Sequence, residues 1–93
     1  HEKWSSFGWH VQEIDGHQYD EINESIKNAN KFHAKPSLII GHTIKGKGVE
    51  FMENVPKWHG SVTMSLDELK ESLFCLDFSN SETDELLQKY KII

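Results

Sequence analysis

SLIIGHTIKGKGVEFMENVPKWHG, residues Ser37 to Gly60, is the stretch that organises this chain. Leu38-Ile39-Ile40 is a compact apolar run of the kind that forms a strand buried on both faces, as in parallel sheets. The run passes through His42 and Thr43 and opens into Lys45-Gly46-Lys47-Gly48. A strand that ends in a glycine-bracketed basic loop places main-chain amides and ammonium groups where an anionic ligand can sit. His59 follows fourteen positions after Lys45, between Trp58 and Gly60.

Upstream, Trp9-His10-Val11-Gln12-Glu13-Ile14 alternates apolar and polar residues and predicts a short strand. Asp15-Gly16-His17 has the composition of a turn. From Tyr19 the period changes: Tyr19, Ile22, Ile26 and Ala29 recur at spacings of three and four, predicting an amphipathic helix to Phe32. Asp20 and Glu21 come early in it, and Lys27 and Lys31 late, as the helix dipole favours. Lys35-Pro36 ends it. Strand, helix and strand in succession predict a βαβ unit with a parallel sheet, whose ligand side lies beyond the carboxyl ends of the strands. Asp15-Gly16-His17 and Lys45-Gly46-Lys47-Gly48 both follow such ends. Before all this, His1 to Gly8 reads as a helix end packed through Trp4 and Phe7, with Gly8 in the C′ position.

After Gly60 the pattern becomes helical. Ser65 with Glu68 forms a capping box ahead of a stripe of Leu66, Leu69, Leu73 and Leu76. A polar break from Asp77 to Ser81 follows, with Phe78 expected to pack. Ser81 as N-cap, with Asp84, is expected to open a last helix from Glu82 to Lys91. The reading therefore divides the chain into an α/β part, residues 1–76, and a helical tail, residues 77–93.

Composition narrows the classes. A chain of 93 residues is one small domain or a piece of a larger one. The net charge of −5 argues against general nucleic-acid binding, which depends on basic groups neutralising phosphate. No apolar run approaches the roughly 20 residues of a membrane span. The start, His1-Glu2-Lys3-Trp4, has neither an initiator Met nor a signal-peptide pattern, so the chain is expected to begin inside a longer sequence. One cysteine, Cys75, cannot form an internal disulfide, which fits a reducing, cytoplasmic setting. It falls in an apolar helical pattern and reads as a packed residue rather than a reactive thiol.

Each motif alone is weak. Lys45-Gly46-Lys47-Gly48 lacks Walker A spacing, and a GxGxxG pattern fails at Phe51. It reads either as a solvated turn or as an anion-facing loop. His59 reads either as a structural residue or as a proton carrier beside an oxygen-rich substrate. His17 and His42, at strand ends, rank below it; His10 and His33 read as structural. Six histidines and one cysteine show no tight metal-ligand spacing.

Taken in order, the motifs become specific. Phe7-Gly8-Trp9, Asp15-Gly16-His17, Lys35-Pro36, His42 through Gly48, Phe51-Met52-Glu53-Asn54 and Trp58-His59-Gly60 together resemble transketolase. The resemblance is to the N-terminal subunit or domain that binds the diphosphate of thiamine diphosphate, and it covers His1 to Leu76. It implies transfer of a two-carbon ketol unit from a ketose phosphate to an aldose phosphate. The cofactor would carry the difficult electronics, while the protein supplies orientation, charge and proton transfer. By the same resemblance Lys45 lines the cofactor site, and His59 lies beside both cofactor and substrate as the catalytic residue. Two departures stand out. Gln18 replaces the aspartate with which the family usually opens the helix after Asp15-Gly16-His17. The family's GDG…N segment, which holds Mg²⁺ and the diphosphate, is not in this chain, nor is the pyrimidine-binding domain whose glutamate activates the cofactor. The 93 residues are thus expected to be the last third of a domain and inactive alone. Their partners would be sugar phosphates and a complementary pyrimidine-binding subunit or domain, in a homodimer or an α2β2 assembly. Some apolar surface (Trp4, Phe51, Met52, Trp58) would then be interface. Two alternatives remain open from sequence. One is an enzyme like deoxyxylulose phosphate synthase, which shares the Asp-Gly-His and Lys-Gly-Lys-Gly elements but not Trp-His-Gly. The other is a non-catalytic remnant that serves in binding or oligomerisation.

Overall fold

The alternating stretch before the first long helix and the apolar stretch after it pair as parallel strands, as the βαβ reading predicts. The computed structural model describes all residues, His1–Ile93. They fall into two units, His1–Thr43 and Ile44–Ile93. The first contains α1 (Glu2–Ser6), β1 (His10–Asp15), α2 (Tyr19–Lys31) and β2 (Ser37–His42). The second contains a single 3₁₀ turn (Pro56–Trp58), α3 (Leu66–Cys75) and α4 (Asn80–Lys89). No helix is long and apolar enough to cross a membrane.

In the first unit β1 and β2 run parallel, in register from His10 opposite Ser37 to Asp15 opposite His42. Side chains alternate between faces, so Gln12, Ile14 and Ile39 share the face turned to α2. The join there is polar: Gln12 Nε2 donates to the Ser25 carbonyl at 2.9 Å, and Asn28 Nδ2 donates to Gln12 Oε1 at 3.4 Å. Ser25 is the one buried residue of α2, its hydroxyl donating to the Ile22 carbonyl. The predicted helix stripe needs correcting accordingly. Ile22 and Ala29 are partly covered, but Ile26 is exposed and Tyr19 is 83% exposed, because Ser25 rather than Ile26 sits at the centre of the contact. The expectation of a strand buried on both faces also fails here: Leu38, Ile39 and Ile40 are half-buried. On the opposite face Glu13 is exposed and bridges two imidazoles, His1 Nδ1 at 3.1 Å and His42 Nε2 at 3.0 Å. His10 is structural as read, stacked on Phe32 with ring centroids 4.1 Å apart.

Three helix ends use one device. After α1, the Gly8 N–H donates to the Ser5 carbonyl and the Trp9 N–H to the Trp4 carbonyl, with Gly8 at φ 89°. This is a Schellman motif, and the Trp4 and Trp9 rings meet edge to face at 5.2 Å, its usual apolar contact. Gly8 holds the C′ position expected of it, and Phe7 meets the Trp4 ring edge to face at 6.3 Å while remaining 74% exposed. The same bonds close α3 through Asp77 (φ 65°) and Phe78, and α4 through Lys91 (φ 56°) and Ile92. In the last case the Ile92 N–H donates to the carbonyl of Leu87, which is 1% exposed and forms the core of the second unit with Val49.

The second unit's helices start as capping boxes. The box of Ser65 with Glu68 is present as the sequence predicts. The last helix starts two residues earlier than its expected position. Its N-cap is Ser79, boxed with Glu82, and not Ser81 with Asp84; the helix runs Asn80–Lys89 rather than Glu82 to Lys91. A glutamate at N3 has the extra methylene needed to reach back to the N-cap amide, which aspartate lacks. The earlier start also aligns Thr83 and Leu87, four apart, as the buried residues. The tail helix α4 packs on α3, and Cys75 is half-buried in α3.

Replacing Ser79 by Ala is expected to cost about 1 kcal/mol of unfolding free energy. Replacing Ser81 by Ala should stay within about 0.5 kcal/mol. Urea denaturation of the two variants checks the reassigned cap. The main-chain N–H of Ser65, then its hydroxyl, holds the Glu68 carboxyl below its ordinary value of 4.5. Ser79 does the same for Glu82. Because these folded values lie below the unfolded ones, the stabilisation is complete above pH 4.5 and is lost as pH falls through the lowered folded values. Melting curves from about pH 7 to about pH 3 should show that loss, and it should shrink in a Glu68→Gln, Glu82→Gln double variant.

Candidate functional site

The segment that leaves β2 has no regular structure of its own, so its main chain must find partners within itself. It does so as a run of nested turns. Hydrogen bonds link Lys47 N–H to the Ile44 carbonyl (3.2 Å), Val49 to Gly46 (3.1 Å), Met52 to Val49 (2.9 Å) and Val55 to Met52 (3.1 Å). Trp58 to Val55 (3.2 Å) and His59 to Pro56 (3.1 Å) continue the series through the 3₁₀ turn. The loop is closed on itself by the Asn54 N–H, 2.9 Å from the Lys45 carbonyl, with Asn54 at φ 58°. Gly46 and Gly48 take φ 76° and 96°. At Gly46 the need is steric as well, since a Cβ there would lie 2.7 Å from the Met52 carbonyl oxygen.

Lys45 and Lys47 are exposed on this loop, and no ion pair ties either ammonium group. His59 is exposed; its backbone N–H is bonded, and its imidazole makes no hydrogen bond within the protein. The loop and the Trp58-His59-Gly60 segment meet through Phe51 and Trp58, whose rings pack edge to face at 5.6 Å. Lys57 Nζ lies 5.3 Å from the centre of the Trp58 ring, a cation–π contact. Trp58 Nε1 is buried and has no acceptor. An ordinary buried indole N–H is hydrogen-bonded, so this donor stands out.

The other turn belongs to the first unit. There the Gly16 N–H donates to the His42 carbonyl at 2.8 Å, joining the carboxyl ends of the two strands. A Cβ on Gly16 would meet Thr43 Cγ2 at 2.6 Å. The His17 N–H donates to Asp15 Oδ1 at 2.9 Å, and the Asp15 N–H to Glu21 Oε2 at 2.7 Å. Gln18 caps α2 without a side-chain bond, in keeping with its departure from aspartate. His42 bonds Glu13 on the sheet rather than lining the loop. A cavity of about 350 Å³ between β1 and α2 is lined by Gln12, Glu21, Glu24 and Asn28 among others and has the wrong sign for a phosphate. No cluster of three or more His, Cys, Asp or Glu residues is arranged to hold a metal ion.

A family model described as the thiamine diphosphate binding domain of transketolase matches residues 1–90. The chain belongs to the transketolase family. The match passes Leu76, where the motif resemblance stops, and takes in the whole of α4. Among transketolase relatives, a 6-deoxy-6-sulfo-D-fructose transketolase subunit of Clostridium sp. (strain MSTE9) is 54% identical over 52 residues, which is 56% of this chain and 19% of that protein. An apulose-4-phosphate transketolase subunit of Phocaeicola vulgatus is 41% identical over 61 residues, 66% of this chain and 22% of that protein. Human transketolase is 36% identical over 55 residues, 59% of this chain and 8% of that protein. The chain thus spans about a fifth of the two bacterial subunits.

The exposed donors of this transketolase segment, two unpaired ammonium groups and an imidazole, are of the kind a diphosphate takes, whereas Trp58 Nε1 is buried and offers it no surface. Motif order points to Lys45 and His59. It does not point to Trp58 Nε1, whose isolation is a matter of packing. Nor does it reveal that Glu53 Oε1 accepts the Gly48 N–H at 3.1 Å.

Gly46→Ala should destabilise the second unit by about 1–3 kcal/mol, since it combines a strained φ with a clash against main chain. Thermal melting, with Gly60→Ala for comparison, checks this. At Gly60 only the strained φ of 99° applies, because a Cβ there meets nothing within 4 Å.

Proposed function

We propose that this chain is part of the diphosphate-binding half of a transketolase that moves a two-carbon ketol unit from a ketose phosphate to an aldose phosphate. Within it, residues 1–76 contribute the α/β part of the domain and residues 77–93 a helical tail. The observation that carries the reading is that Lys45 and His59 are both exposed on one continuous run of turns, clamped by Phe51 against Trp58. Lys45 would hold the diphosphate of thiamine diphosphate, with Lys47 adding to the local positive field. Thiamine diphosphate, when bound, supplies the electron sink for the ketol unit. His59 does the proton work: its imidazole donates to the substrate carbonyl oxygen as charge develops there, and holds the neighbouring hydroxyl in place. Mg²⁺ would be held by residues beyond this chain, and so would the pyrimidine ring, on a complementary subunit or domain of a homodimer or α2β2 assembly. The 93 residues alone would be inactive. A cytoplasmic setting accords with the unpaired thiol of Cys75.

A coupled ketol-transfer assay on the assembled enzyme tests the assignment. His59→Ala should lower kcat by about 10²–10⁴, the scale of a positioned proton donor, with a smaller change in cofactor affinity. Lys45→Ala should do the reverse and weaken cofactor affinity first. Unchanged turnover in the His59 variant removes its role.

A further inference from the structure

The lysine loop contains an acidic residue that the proposed function leaves without a task. Glu53 Oε1 accepts the Gly48 N–H at 3.1 Å, spanning the loop from one side to the other. A carboxylate beside an anion-binding loop repels the anion, so its presence there needs an offsetting benefit. The local geometry supplies one. The Glu53 N–H donates to the Val49 carbonyl at 3.2 Å, so residues 49–53 form one helical turn that begins at Val49. From the end of that turn the Glu53 side chain reaches back past its start to the amide of Gly48. Glu68 and Glu82 do the same at Ser65 and Ser79. Gly48 stands at φ 96°, in a region where the chain without a brace has many alternatives.

We propose that Glu53 is the positioning residue of the lysine loop, its carboxylate locking Gly48 so that Lys45 is presented in one conformation. The inference rests on the reading of Lys45 as a diphosphate-holding group. Two clasps then hold the loop, Asn54 N–H on the Lys45 carbonyl and Glu53 on the Gly48 amide. A loop ordered beforehand loses less freedom when the anion arrives, so the brace acts on affinity and leaves turnover of the loaded site alone. An amide oxygen serves the clasp as well as a carboxylate does, because what is required is an acceptor on a side chain of that length.

The test uses the assembled enzyme with Glu53→Ala, Glu53→Gln, Glu50→Ala as a neighbouring carboxylate control, and Lys45→Ala. Hydrogen exchange over residues 45–54 reads the clasp directly. Calorimetry with thiamine diphosphate at fixed Mg²⁺ and ionic strength reads affinity. In Glu53→Ala the Gly48 amide should exchange about tenfold faster and the cofactor should bind about tenfold more weakly, with kcat at saturation within about twofold. Glu53→Gln should restore both, and Glu50→Ala should change neither. Slow exchange in Glu53→Ala overturns the proposal, as does an affinity unchanged despite fast exchange, or a glutamine variant as weak as the alanine one. Wild-type affinity in Lys45→Ala would instead remove the underlying reading of the loop, whatever the exchange data show about the clasp.

Discussion

A main-chain amide left without an acceptor at the end of a short element is the constraint from which most of this structure follows. Each helix begins with orphan N–H groups and ends with orphan carbonyls, and these helices are only 5, 13, 10 and 10 residues long. Their ends are therefore a large share of their length. Glutamates reach back to close the starts of α3 and α4, Glu68 to Ser65 and Glu82 to Ser79, while Glu53 reaches Gly48 in the loop and Glu21 the Asp15 amide at the end of β1. Left-handed residues close the ends at Gly8, Asp77 and Lys91. Hydrophobic burial is a smaller contributor than usual, with Val49 and Leu87 the buried apolar residues.

The same economy governs the candidate site. The Lys45–Gly60 segment holds no strand and nothing longer than a single helical turn, yet every turn is bonded to the one before. That chain of bonds gives an irregular segment enough order to hold an ammonium and an imidazole, and the ring contact between Phe51 and Trp58 fixes the distance over which it folds. Glycines at 46 and 48 are required by backbone geometry first, and the ammonium groups gain their exposure as a result.

Much of this is legible in the residues, and the failures have physical causes. Periodicity finds α2, but places Ile26 on the contact face because apolar residues are assumed to mark it; Gln12 instead recruits the Ser25 carbonyl, and a serine sits at the centre. The capping box at Ser65 is readable from its Glu68, whereas at α4 two serines compete, and only the reach of the N3 side chain decides for Ser79. The C-caps at Asp77 and Lys91 are invisible in the residues, because sequence rules look for glycine at that conformation. Lys45 and His59 come from the order of motifs along the chain. Glu53 cannot, since its link to Gly48 exists only once the turn between them has formed.

The parallel pair itself has a practical consequence. Each of β1 and β2 has a single neighbour, so the outer edge of either strand carries main-chain donors and acceptors next to half-covered Val11, Leu38 and Ile40. Such an edge is a template for further strand addition. A strand added at either edge would also shield it from self-association, so the handling of this chain turns on its colloidal behaviour as much as on its melting point.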